Sequence, residues 1–478
     1  MKRLLILLAA TLLASACVKT PLISTGDPTD KTSYYANIFA YNIMAGYYLW
    51  CDEVQNGLES WTFEADPIEK VESLRYKDVS GNLVDKWTEL MEDYSPFVSS
   101  VTGNGKTYGF EFVLYYTDSS RKQICAVVTY TYEDSPARQA GLKRGDVIFT
   151  FDGSTLTSDN YADLLNDKIY NNATSIQLGL SDGSSVTMTA TKMYSNPVHV
   201  AKTLSYGGKT FGYLHFTNFT QEAALDLVEA CKQFKADGID ELILDLRYNT
   251  GGYATTGQVL ASMIAPSSVV QAGAVFNKSI YNKNLAEFMD EDECLAESFT
   301  LNFESGKKTL NTGEANLGIS HLWVITTGHS ASASESLICG LKPYLDVTLV
   351  GSTTYGKFCG GYLITAEDWY GDLTSDDIDI DLKAAKQYTA NWGIYVIASR
   401  YADCNGITLS MPAGIPADYQ ATDDPRDGYE LGDPSESMLA KVLSVATGHV
   451  FAVTRSASPA CEEVPYVKPG DGVLLWSY

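Results

Sequence analysis

Basic charge is scarce in this 478-residue chain: 34 Lys and Arg stand against 59 Asp and Glu, for a formal charge of −25. A nucleic-acid footprint requires clustered cations, so nucleic acid is not an expected partner, and an anionic surface would repel the body of the molecule. No run approaches the roughly 20 apolar residues of a membrane span. Histidine is rare, with five in all, and neither HExxH nor another dense ligand cluster occurs, so no metal or other cofactor is expected. CxxC knuckles are absent too. Cys17 aside, the cysteines at 51, 125, 231, 294, 339, 359, 404 and 461 show no repeated pairing. They read as small buried hydrophobes or free thiols, with no bridge assigned.

What is there is ordinary globular material, 45% hydrophobic and 19% charged, sufficient for about two to four domains. Lys2 and Arg3 precede the apolar run Leu4 to Leu13 and the box Ala14-Ser15-Ala16-Cys17, the order of an export signal. A terminal cysteine predicts a bacterial lipoprotein signal over residues 1–17, with Cys17 lipidated and that lipid the sole anchor. A plain secretory signal with a chance cysteine is the alternative. Residues 18–32, rich in Thr, Ser, Pro and Asp, read as a tether.

Beyond the tether the texture changes twice. From Tyr34 to Trp50, Ile38, Tyr41, Met44 and Tyr48 recur at helical spacing. Asp66-Pro67 opens a second helix, and Asp85 to Tyr94 suggests a third. Residues 33–98 therefore read as a small helical domain, a scaffold and spacer. Residues 99–192 are β-rich and punctuated by glycine. From about Thr203, strands alternate with helices: Phe211–Phe216, Glu222 to Ala236, Leu242–Leu246, Leu322–Thr326 and Val347–Gly351. That alternation predicts a layered α/β core within 193–478. Residues 265–320, weakly periodic, suggest an insertion, and Asp376–Asp381 alternates like a half-buried strand with a solvated acidic face. No role follows for the tail after Val450.

Two segments carry chemistry. Ser330-Ala331-Ser332-Ala333-Ser334-Glu335 is a small-residue turn ahead of a helical run, and Lys357 follows Ser332 by 25 positions. Ser332 and Glu335 fit a capping box, and they also fit a nucleophile at the positive end of a helix dipole; the two readings are compatible. A lysine serves as base only when neutral, and at its reference pKa about one in 2,500 is neutral at pH 7. Burial lowers that pKa, and Tyr355, Phe358 and the Val347–Val350 run could supply the dry setting. Gly251-Gly252, after the Leu242–Leu246 strand, offers N–H groups for an oxyanion, with the Ala333 N–H as a second donor. An ordinary turn explains the glycines equally well. Asp245 and Arg247 read as an ion pair holding that loop. A serine-histidine triad through His215 or His329 stays open as a rival.

Together, Ser330–Glu335, Lys357 and Leu244-Asp245-Leu246-Arg247-Tyr248-Asn249-Thr250-Gly251-Gly252 resemble the C-terminal-processing (tail-specific) serine protease family. The resemblance implies a multidomain α/β protein: an N-terminal helical domain, a PDZ-like domain and a crotonase-like ββα core. It implies a serine endopeptidase acting on polypeptides, with Ser332 as nucleophile, Lys357 as general base and Glu335 in support. Ser135 to Ile148, with Gly141 and Gly145 at turns, is similar to a PDZ helix, turn and strand. Tyr108-Gly109-Phe110 then falls at the loop that binds a peptide's terminal carboxylate. The implied location is the cell envelope, periplasmic or at the outer membrane, with oligomeric state left open. One departure stands out. The family commonly places glutamine four residues after the lysine to orient it, and this chain has Gly361, which leaves Glu335 as a candidate for that task. Gly361 also supports an alternative, a catalytically inactive peptide-binding lipoprotein that keeps the fold. A Ser-Lys hydrolase of non-peptide esters or amides is a further rival.

Overall fold

The structure is a computed structural model that describes residues 30–102, 106–170, 174–286, 296–305, 308–449, 462–465 and 474–475. The export signal, Cys17, Cys294 and Cys461 lie outside the described residues. The six remaining cysteines are free thiols. Among the described residues no helix is long and apolar enough to cross a membrane.

The α/β core follows the alternation in the sequence. Its first sheet has six strands in the order Val198–Tyr206, Lys209–Phe216, Glu241–Asp245, His321–Thr326, Asp346–Gly351 and Tyr419–Gln420. The first pair is antiparallel and the remainder parallel. Continuous apolar runs form these strands because both faces are covered. Leu242, Leu244, Leu322 and Val324 face the helices Ala223–Asp237, Ala254–Ile264 and Ala333–Leu341. Ile243, Trp323 and Ile325 face the Ser437–Thr447 helix on the other side. Each fully buried large apolar side chain contributes about 1.5–3 kcal/mol.

A second sheet stands beside the first. It runs Gly252–Tyr253, Leu474–Leu475, Cys359–Thr365, Gly393–Ala402, Val275–Tyr281 and Ala296–Ser298, with Glu89–Met91 joined to Gly393–Ala402. Part of the 265–320 stretch expected as an insertion is thus sheet. The expected third helix is a strand instead: Leu90 stands opposite Ile394, and a partner strand overrides weak local periodicity. Asp376–Asp381 forms turns, not a strand, and ends with Asp381 capping the Leu382–Tyr388 helix.

The N-terminal helices form where their caps direct. Asp30 caps Lys31–Gly46 and Asp66, followed by Pro67, caps Pro67–Leu74. They do not stand apart as a spacer. Ile38, Phe39, Ile43 and Tyr48 share one apolar cluster with Tyr362, Trp369, Ile394 and Val396, so residues 33–98 cover the second sheet. The β-rich stretch keeps its own core, in a third sheet ordered Phe110–Tyr116, Ile124–Thr131, Val147–Phe151, Ser175–Leu180 and Ser185–Thr189.

Candidate active site

The His321–Thr326 strand ends at a turn that leads into the Ala333–Leu341 helix, with Ser332 at its N-cap. Ser332 takes φ +59°, a conformation that costs an L-residue about 1–3 kcal/mol and persists only when neighbours over-determine it. They do so here. Ser330 Oγ donates to the Leu246 carbonyl at 2.9 Å, and Ala331 N–H and Ser334 Oγ both donate to the Asn249 carbonyl, at 3.1 and 3.0 Å. Asn249 Nδ2 in turn donates to the Phe216 carbonyl at 2.8 Å. The serine turn is therefore stitched to the 246–252 loop.

Ser332 is fully buried, and its Oγ has no hydrogen-bond partner among the described residues. Glu335, one turn along the helix, joins the serine segment to the lysine segment. Its Oε2 accepts from both Ser332 N–H (3.0 Å) and Lys357 N–H (2.9 Å), while Oε1 accepts from Gly356 N–H (2.7 Å) and Thr354 Oγ1. Burial lifts the Glu335 carboxyl above its ordinary range, and these four bonds offset only part of that rise. Tyr401 O–H closes the same junction, donating to the carbonyls of Ser332 (3.1 Å) and Lys357 (2.7 Å).

Lys357 is fully buried, and desolvation lowers its ammonium to about 8 against the opposing pull of Cys359, Asp85 and Glu335. Nζ lies 4.8 Å from the Trp87 ring centre and 5.4 Å from that of Tyr395, and it donates to Tyr395 Oη at 3.3 Å. Glu335, the candidate for orienting the amine, accepts from the lysine's backbone N–H, and Tyr395 Oη accepts from the amine itself. Gly361 explains why. A Cβ there would stand 2.3 Å from the Val396 carbonyl and 3.0 Å from the Tyr395 ring, so Tyr395 fills the space a side chain at 361 would need. The dry setting also differs from expectation, since Trp87 comes from the N-terminal segment and Tyr355 packs behind it at 6.1 Å. Trp87, Tyr395 and Tyr401 were not singled out in sequence. The gap at Gly361 is the signal that could have prompted a search for Tyr395.

The candidate oxyanion donors divide. Gly251 N–H is taken by Asn249 Oδ1 at 2.9 Å, because the asparagine side chain folds back on its own loop. Gly252, at φ +135°, must be glycine: a Cβ would stand 2.6 Å from the Phe219 carbonyl. Ala333 holds the first position of its helix, where an N–H has no intrahelical acceptor.

Neither rival histidine reaches Ser332. His215 Nδ1 lies 3.0 Å from His199 Nδ1, and burial pushes His199 down to about 4 and His215 well below its usual value. His329 Nε2 lies 2.7 Å from Glu463 Oε1. Asp245 and Arg247 form an ion pair at 2.8 Å, and Arg247 also meets Glu436 (2.7 Å) and Asp423 (2.9 Å). Arg144, from the β-rich unit, joins Asp423 at 2.9 Å and so ties that unit to the core. In the expected carboxylate loop, Tyr108 and Phe110 are core residues, and Gly109 N–H donates to Thr107 Oγ1 at 3.0 Å.

Comparison with known proteins matches residues 210–419 to Peptidase family S41. Over 290 residues the chain is 28% identical to a Synechocystis protein named carboxyl-terminal-processing protease, covering 59% of this chain and 60% of that one. Over 272 residues it is 23% identical to a Staphylococcus aureus protein named probable CtpA-like serine protease, covering 56% and 49%. The chain thus spans between half and three-fifths of these relatives. A solved Bacteroides fragilis structure assigned to the S41 proteases aligns at 20% identity with a TM-score of 0.62, over 86% of this chain and 98% of that one, which shows a shared fold.

Proposed function

Starting from a peptidase family S41 domain at residues 210–419, we propose that the chain is a serine endopeptidase of the C-terminal-processing kind, with Ser332 as nucleophile and Lys357 as general base. One observation carries this reading: the backbone N–H of a buried lysine, its amine held to about 8, shares a carboxylate oxygen with that of a strained serine whose hydroxyl has no partner among the described residues.

With a pKa near 8, about one lysine in eleven is neutral at pH 7, some 200-fold more than at the reference value. The neutral amine takes the Oγ proton as Oγ attacks the scissile carbonyl. Gly252 and Ala333 N–H groups face the developing oxyanion; Gly251 positions the loop. The ammonium then returns its proton to the leaving amine, and water releases the acyl group by the same path. In the resting protein Nζ is hydrogen-bonded to Tyr395, not to Ser332, so transfer requires the amine to turn. Such bonds commonly form only with substrate bound. Tyr395 is a positioning residue and replaces the missing glutamine.

The β-rich unit serves as a PDZ-like domain that adds a substrate tail to the Phe110–Tyr116 edge. It should bind free-carboxylate peptides better than amidated ones, and equal affinity would argue against it. Cys17 carries the lipid, so Cys17→Ser should move the protein from the membrane fraction to the soluble one; unchanged partitioning refutes the anchor. The central test is fragment identification by mass spectrometry after incubation with an unstructured polypeptide. Ser332→Ala should abolish cleavage while retaining the fold, and fluorophosphonate labelling should vanish in Lys357→Ala. Normal cleavage by Ser332→Ala would end the reading.

A further inference from the structure

In its own sheet the Phe110–Tyr116 strand has one neighbour, Ile124–Thr131. Its outer edge is nevertheless occupied. Tyr116 N–H donates to the Glu462 carbonyl at 2.8 Å, Val464 N–H donates to the Leu114 carbonyl at 2.9 Å, and Tyr115 bridges Glu463 in antiparallel register. Residues 462–465 of the chain itself thus pair with that edge through a β-bridge and two backbone hydrogen bonds. Val464 is 3% exposed and packs in the same core as Phe110, Phe112 and Leu114. Charge fixes the register: Glu462 pairs with Arg121 at 2.5 Å, and Glu463 with His329, three residues before Ser332. Glu463, Val464 and His329 also wall the cleft between the β-rich unit and the Tyr248–Thr250 loop.

The same stretch of chain returns at the chemical centre. Leu474–Leu475 lies in the second sheet, parallel to Gly252–Tyr253 and to Cys359–Thr365, with Leu474 opposite Gly252 and Leu475 opposite Gly361. It therefore stands beside the proposed oxyanion glycine. Two separate strand edges are thus met by residues 462–465 and 474–475 of the same chain.

We propose that residues 462–465 and 474–475 are in-cis occupants of the polypeptide-binding path, an autoinhibitory pseudosubstrate that substrates must displace. This rests on the endopeptidase reading above. Tethering supplies an effective concentration on the order of millimolar, so weak edge pairing suffices to keep the path filled. The contacts also define the displacing ligand: an extended peptide with a buried valine-sized residue preceded by two acidic ones, matched to Arg121 and His329.

The test uses the full chain carrying Val464→Pro, which removes the amide that donates to Leu114, and a Val464→Lys variant that cannot bury its side chain. Three readouts apply: hydrogen exchange at the Tyr116 amide, binding of a labelled synthetic peptide of residues 459–468, and turnover of an extended fluorogenic peptide. In both variants Tyr116 protection should fall, the labelled peptide should bind, and kcat/KM should rise about tenfold or more, as loss of one edge hydrogen bond and one buried side chain implies. A peptide carrying the Val→Pro change should not bind. Faster exchange with unchanged or lower turnover overturns the autoinhibition. Unchanged exchange, or no peptide binding, overturns the occupancy. If neither wild type nor variants cleave or label, the Ser332 reading fails, while exchange and peptide binding still decide whether the edge is filled.

Discussion

Raising the pH from 7 to 9 should increase the rate of Ser332 acylation about tenfold and then level off. The base is useful only when neutral, and a group near 8 passes from about one part in eleven neutral to about ten in eleven across that window. A solvated lysine would instead give a rate still climbing tenfold per unit at pH 9. The cause is desolvation: Trp87 and Tyr395 cover the amine, and the nearby Asp85 and Glu335 only partly restore the charged form. The assay is second-order labelling by a fluorophosphonate between pH 5.5 and 9.5, about the range set by these values. The same shift affects stability, with a definite sign. The folded lysine releases its proton near 8 and the unfolded one near 10.4, so between those values the unfolded state binds more protons and stability rises with pH. Below that window the buried ammonium costs about 3 kcal/mol. Lys357→Met should therefore raise the melting temperature at pH 7 while abolishing labelling. An apparent pKa at 10 or above, or a pH-independent rate, refutes the reasoning.

Other perturbations separate positioning from packing. Tyr395→Phe removes the acceptor at Lys357 Nζ and should lower kcat about tenfold with KM unchanged; a matching change in KM would show a binding defect instead. Gly361→Gln, which places a glutamine four residues after Lys357, should fail here, because its Cβ meets the Val396 carbonyl and the Tyr395 ring, and denaturant melts should show a loss of about 2 kcal/mol or more. Trp87→Ala opens the lysine to water, so the kinetic pKa should rise toward the reference value as stability falls by about 3 kcal/mol; an unmoved pKa would remove Trp87 from the account. Arg247→Met leaves Asp245, Asp423 and Glu436 buried with Arg144 as their remaining cation, at a cost of about 3–5 kcal/mol measurable by chemical unfolding.

Local periodicity and short motifs make part of this fold and site legible along the chain. The strands from Lys209 to Gly351 are legible because parallel strands covered on both faces must be apolar throughout. The helices at Lys31 and Pro67 are legible because an aspartate precedes each. Ser332, Glu335 and Lys357 could be chosen because a turn serine ahead of a helix and a lysine at fixed spacing form a pattern along the chain. Tertiary structure decided what surrounds that lysine. Trp87, Tyr395 and Tyr401 are distant from Ser332 in sequence, and each would serve equally well as a core aromatic, so nothing in their neighbourhoods distinguishes them. Tertiary structure also turned Asp85 to Tyr94 from expected helix into strand, since a three-residue strand has no periodicity of its own and exists because Gly393–Ala402 offers an edge. The strands at 462–465 and Leu474–Leu475 have the same origin: backbone pairing is nearly blind to side-chain identity, so their positions follow from which edges the folded core leaves open.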